Sequence, residues 1–151
     1  MPFKEQALLL CDQLSAAAQN AGAVNTLSFI NGKVLGDNTD GLGLVADWLN
    51  NEVTLTDKKI LLLGAGGAAK GVVLPILKQN PQQLIIVNRS IEKAEDIVAQ
   101  YQVDNLTAYS YQTLPEQAFD LIINATSASL SGTVPDIPSN VIAANTVCYD
   151  M

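Results

Sequence analysis

Apolar residues at Ala7, Leu8, Leu10, Cys11 and Leu14 recur at helical spacing, which predicts a helix over 3–22 capped at Gly22, with Asp12 the place where it could break. Residues 24–30 then alternate toward Asn31-Gly32, the strongest short hairpin signal, and 33–36 supply the return strand. Asp37-Asn38-Thr39-Asp40-Gly41 has loop chemistry and leads into a helix whose apolar face would be Leu42, Val45, Ala46 and Leu49.

From residue 58 the period changes. Short, wholly apolar runs at 60–63 and 84–87 alternate with helical stretches at 67–79, stopped by Asn80-Pro81, and from Ser90 to about Tyr101. Further short strands are expected at 106–109, 120–123 and 146–149. Strands that are apolar throughout, alternating with helices, imply a parallel sheet covered on both faces, hence an α/β fold. The segment 51–57 separates the opening portion from this domain.

At the first strand-to-helix junction stands Gly64-Ala65-Gly66-Gly67-Ala68-Ala69. A Gly-x-Gly-x-x-Ala run after a strand and before a helix is the context a dinucleotide site requires, and it makes the domain a Rossmann-like, doubly wound one. Gly64 serves the tight turn, Gly66 lets the backbone approach a pyrophosphate, and Ala69 lets helix and strand pack closely. The helix N-terminus presents free amides to the phosphates. The next strand ends at Val87-Asn88-Arg89-Ser90, without the acid that commonly accepts from the ribose hydroxyls of NAD; Glu92 lies beyond it. Arg89 offers a planar fork for a 2′-phosphate, Asn88 and Ser90 offer hydrogen bonds, and Lys93 lies one helical turn on. The expected cofactor is therefore NADP(H). The competing reading makes Arg89 a solvated charge and Ser90 a helix cap.

Composition narrows the partners. The 151 residues are 48% hydrophobic and 15% charged, an ordinary globular balance. Fifteen acids against eight bases give a net charge of −7, which disfavours nucleic acid as a partner. No apolar run reaches membrane-spanning length and no secretory signal is visible, so a cytoplasmic location is expected. Cys11 and Cys148 read as buried free thiols. With no histidine and two cysteines, no metal site is expected.

Several stretches together carry a resemblance: Pro2-Phe3-Lys4-Glu5, Ala21-Gly22-Ala23-Val24-Asn25-Thr26, Gly36-Asp37-Asn38-Thr39-Asp40-Gly41, the Gly64–Ala68 turn with Asn88-Arg89-Ser90, and Asn124-Ala125-Thr126-Ser127 with Tyr149-Asp150-Met151. In order and spacing the chain resembles shikimate dehydrogenases, which reduce 3-dehydroshikimate to shikimate with NADPH. The resemblance implies a catalytic pair, Lys4 and Asp40, with Asn25 and Thr39 on the substrate side. It also places Thr126 and Ser127 beside the cofactor, with Gly64, Ala65, Gly66, Gly67, Ala68, Asn88, Arg89, Ser90 and Lys93 holding it. Without the resemblance, Lys4 reads as a surface lysine and Asp40 as a helix cap.

The family's chain is nearly twice as long. The resemblance therefore implies that residues 1–40 are part of a substrate domain, 41–57 a connecting helix and linker, and 58–151 an NADP-binding domain cut short at its C-terminal end. It implies little turnover by this chain alone, and self-association through an unpaired strand edge at 146–149. Two alternatives stay open: a non-catalytic NADP-binding module derived from the enzyme, and a quinate/shikimate dehydrogenase.

Overall fold

The computed structural model describes residues 3–126, 132 and 135–151. The chain divides into two compact units, Met1–Thr54 with Lys70–Lys78, and Leu55–Ala69 with Gln79–Met151.

The first unit begins with α1 (Phe3–Leu8), β1 (Gln13–Leu14) and α2 (Ala16–Ala21), so the single helix expected over 3–22 is two helices separated by a short strand. The break comes from pairing with a later segment. The Asp12 N–H donates to the Val34 carbonyl at 2.8 Å, and the Ser15 N–H to the Gly36 carbonyl at 2.9 Å. The Val34 N–H in turn donates to the Asp12 carboxylate at 2.7 Å. Ser15 then caps α2, its hydroxyl accepting from the Ala18 N–H at 3.0 Å. Consequently the expected stripe is not one face: Leu10 is exposed, Cys11 is half-buried, and α1 buries no residue. Gly22 does cap α2, its N–H reaching the carbonyls of Ala18 and Gln19.

The hairpin stands where expected. β2 (Thr26–Ile30) and β3 (Lys33–Asp37) pair antiparallel with Ile30 opposite Lys33. Between them Asn31 and Gly32 both take positive φ, at 50° and 74°, the backbone a two-residue turn of matching twist demands. β1 adds parallel to the other side of β3.

α3 (Asp40–Asn50) buries Gly41, Leu44, Val45 and Trp48. The face expected from Leu42, Val45, Ala46 and Leu49 is therefore displaced by about one residue; Leu42 and Leu49 are exposed, as is Ala46. Gly41 decides the rotation. It lies so close to α4 (Gly67–Leu77) that a methyl there would overlap the Gly71 carbonyl oxygen and stand 2.6 Å from the Pro75 ring. Pro75 has no N–H, so that carbonyl lacks its helical donor, and the small Gly41 fits over it.

In the second unit β4 (Lys59–Leu63), β5 (Gln83–Val87), β6 (Leu106–Tyr109), β7 (Phe119–Asn124) and β8 (Ile142–Asp150) form a wholly parallel sheet in the order β6-β5-β4-β7-β8. β4 and β5 are buried on both faces from Ile60 to Leu63 and from Leu84 to Val87, which explains their continuous apolar runs. One face of the core gathers Leu61, Leu63, Ile85, Val87, Leu114, Phe119, Ile122 and Val141. α5 (Ile91–Val98) packs against β5 and β6. β8 is longer than the expected 146–149 and pairs only with β7 among the described residues. On this edge Cys148 is exposed rather than buried; apolar sequence neighbours cannot reveal that a strand has one partner instead of two. No described helix is long and apolar enough to cross a membrane.

Candidate functional site

Two groups of side chains carry chemistry, one in each unit. In the first, the loop between β3 and α3 delivers Asp40 to the N-terminus of α3. Its backbone is fixed from below by Asn38, the one buried polar residue among those described. The Asn38 amide donates to the Ala23 carbonyl at 3.1 Å, and its side-chain oxygen accepts from the Asp40 N–H at 3.1 Å. That second bond, two residues along, is a local turn bond of the kind asparagine favours. Asp37 adds a further tie by accepting from the Ser15 hydroxyl and from the Asn38 N–H.

Thus held, Asp40 receives two partners. The Lys4 ammonium donates to its Oδ2 at 2.6 Å, and the Asn25 amide donates to its Oδ1 at 2.7 Å. The Asn25 oxygen accepts from the Thr39 N–H at 3.1 Å, the Thr39 hydroxyl at 3.3 Å and the Thr26 hydroxyl at 2.9 Å. Lys4 is anchored in the backbone as well, its carbonyl accepting from the Val24 N–H at 2.9 Å. Lys4, Asn25, Thr39 and Asp40 therefore form one connected cluster. The lysine and aspartate side chains remain 31% and 28% exposed, open to a small molecule yet not fully solvated. Asp40 is not the cap of α3: Thr39 occupies that position, with no side-chain cap bond.

In the second unit the strand order reverses between β4 and β7, and the crevice beyond their carboxyl ends is where ligands of open α/β sheets bind. Gly64 turns away from β4 with φ of +103°, a backbone only glycine adopts without strain, while its N–H donates to the Val87 carbonyl. A Cβ on Gly64 would press on Thr126 Cγ2 at 3.1 Å and on the Ala125 carbonyl oxygen at 3.2 Å. At Gly66 and Gly67 a Cβ would meet nothing within 4 Å. Open space at the second and third glycines, where α4 begins, is a cradle that fits a dinucleotide's pyrophosphate.

At the end of β5, Arg89 and Ser90 are exposed, and Arg89 makes no ion pair among the described residues. Ser90 stands at the cap position of α5 without a side-chain cap bond, and the Asn88 amide donates to the Ser90 carbonyl at 2.9 Å. Lys93 is exposed on the first turn of α5. Tyr111, not foreseen from sequence, faces the same corner: burial raises its phenol above the ordinary value, and the Arg89 guanidinium offsets part of that rise. Among the described residues no cluster of metal-ligating side chains occurs.

The profile of the family described as Shikimate / quinate 5-dehydrogenase matches residues 47–133, more than half of the chain. The chain belongs to this family. It is 56% identical over 150 residues to the shikimate dehydrogenase (NADP(+)) of Colwellia psychrerythraea, covering 99% of this chain and 54% of that protein. Among solved structures, an Ael1 enzyme from Pseudomonas putida is 41% identical with a TM-score of 0.89, over 93% of this chain and 52% of that one. Shikimate 5-dehydrogenase from Thermus thermophilus, solved in complex with NADP(H) and shikimate, is 26% identical with a TM-score of 0.81, over 99% of this chain and 55% of that one. The chain spans about half the length of these relatives.

Within the family pattern, Ser127 lies outside the described residues, as do Pro2 and 128–131. Thr126 lies beside Gly64. Sequence reasoning named Asn38 and Asn124 only as parts of motifs and missed what they hold. For Asn38 the signal was an asparagine two residues before a helix start. For Asn124 there was none, since its partner is on another strand.

Proposed function

We propose that the chain is part of an NADP(H)-dependent oxidoreductase that interconverts 3-dehydroshikimate and shikimate, contributing the cofactor domain and part of the catalytic centre. The observation that carries this reading is the single hydrogen-bonded cluster of Lys4, Asp40, Asn25 and Thr39. NADPH, when bound, supplies a hydride. Hydride reaching a carbonyl carbon leaves negative charge on the oxygen, which calls for a proton donor and a positive charge. The Lys4 ammonium provides both. Asp40 Oδ2 holds the ammonium in place, and Asn25 fixes the carboxylate plane by occupying Oδ1. In this reading residues 1–40 belong to the substrate side, 41–57 connect, and 58–151 bind the cofactor. The two free cysteines suit a reducing cytoplasm.

A chimera tests the catalytic assignment: residues 1–151 replace the matching half of the Colwellia enzyme, and NADPH oxidation with 3-dehydroshikimate or 3-dehydroquinate is followed. Turnover is expected, and Lys4→Met should cost ~10²–10⁴ in kcat, the usual contribution of a positioned acid. Cofactor binding with no turnover in the chimera would instead favour a non-catalytic module. Faster reduction of 3-dehydroquinate would assign the quinate branch that the family description includes.

NADP(H) over NAD(H) is supported by the missing acid at the end of β5 and by an Arg89 that makes no ion pair among the described residues. Arg89→Ala should weaken NADP(H) binding by roughly ten- to a hundredfold and leave NAD(H) affinity unchanged, the worth of one charge-assisted bond to phosphate. Calorimetric titration with both cofactors decides it; equal losses for the two would remove Arg89 from the phosphate site. We also propose that the chain self-associates through the outer edge of β8, because a nine-residue strand with one partner among the described residues offers unpaired backbone groups. Sedimentation across a concentration series would show a strict monomer if this is wrong.

A further inference from the structure

Leu63, Asn124 and Asp150 stand in one row across the carboxyl ends of β4, β7 and β8. The Asn124 amide donates to Asp150 Oδ1 at 2.6 Å. Its oxygen accepts twice from Thr126, from the N–H at 3.1 Å and from the hydroxyl at 2.7 Å. The two ends of a carboxamide differ only in which can donate, so its orientation is set by its neighbours. A carboxylate can only accept, and therefore Asp150 directs the Asn124 NH₂ toward β8 and its oxygen toward Thr126. The Thr126 methyl flanks Gly64, the first glycine of the cofactor turn, closely enough that a Cβ added there would stand 3.1 Å from it. The backbone is tied at the same points, Ala125 N–H to the Leu63 carbonyl at 2.9 Å and Met151 N–H to the Asn124 carbonyl at 3.0 Å.

From this chain of bonds we infer that Asp150, acting through Asn124, is a positioning residue for the cofactor turn, an inference that rests on the NADP(H) reading above. Asp150 is exposed, so its removal hardly touches the core. Electrostatics alone would give the opposite sign: deleting a carboxylate near a polyanionic cofactor should tighten binding. Loss of position should weaken it.

The test compares Asp150→Ala and Asp150→Asn by NADPH fluorescence titration and by hydrogen exchange at the Thr126 amide. Asp150→Ala should bind NADPH roughly three- to tenfold more weakly and exchange the Thr126 N–H faster by a similar factor, as expected when one hydrogen bond no longer holds. Asp150→Asn keeps an acceptor oxygen facing the Asn124 NH₂ and should restore both values to near those of the parent. Unchanged or tighter NADPH binding in Asp150→Ala would overturn the inference, as would an unchanged Thr126 exchange rate. Equal weakening in both variants would also overturn it, because charge and not the bond would then be at work. A parent chain that binds neither nicotinamide cofactor would overturn the NADP(H) reading, and the exchange measurement would still judge the link from Asp150 to Thr126.

Discussion

Gly66→Val is expected to leave the protein folded and to weaken NADP(H) binding by at least about a hundredfold, equivalent to roughly 3 kcal/mol. The two halves of that expectation have separate grounds. A Cβ at Gly66 would meet nothing within 4 Å, so the branched side chain has room in the free protein. Gly66 also lacks the positive φ seen at Gly64, so no backbone strain opposes the substitution. Stability should then change by no more than ~0.5 kcal/mol, the range of an ordinary surface substitution. The room that valine takes is the room a pyrophosphate needs when it meets the helix N-terminus. Circular dichroism and thermal unfolding would report on the fold, and fluorescence titration on the cofactor. A folded Gly66→Val protein with parental NADPH affinity would mean that the glycines only make a turn.

The second large effect concerns two glycines of one helix, for which propensity predicts the same gain. Glycine to alanine in a helix interior is worth up to about 1 kcal/mol. At Gly43 a Cβ meets nothing within 4 Å, so Gly43→Ala should raise the unfolding midpoint by roughly 2–4 °C. At Gly41 the same methyl overlaps the Gly71 carbonyl oxygen and the Pro75 ring, neither of which is a flexible side-chain end. Overpacking of that kind costs up to about 3 kcal/mol and exceeds the propensity gain. Gly41→Ala should therefore lose a net 2 kcal/mol or so, about 4–8 °C in midpoint. Shifts of the same sign in the two variants would show that α3 and α4 do not meet as closely as Gly41 indicates.

These cases also mark how far the sequence could be read. The glycine turn was legible because its evidence is local: an apolar strand, small residues at fixed offsets and a helix start all lie within 60–77. The Asn31-Gly32 hairpin was legible for the same reason, since two adjacent residues with positive φ set its register. The missing acid after Val87 could likewise be seen by inspection. By itself, then, the sequence determined the α/β alternation, the parallel sheet and the glycine turn between β4 and α4. Everything else depended on residues far apart in the chain. The helix expected over 3–22 broke because Asp12 and Ser15 found backbone partners in β3, beyond the reach of any local pattern. On α3 both candidate faces were apolar, and the close approach of Gly41 to α4 chose between them. Lys4 and Asp40, 36 positions apart, became an ion pair, and Asn124 and Asp150, 26 apart, became a hydrogen-bonded pair. Periodicity and turn chemistry report only what a residue's near neighbours require, whereas side-chain bonds and helix rotation are settled by whichever distant groups the folded chain brings within reach.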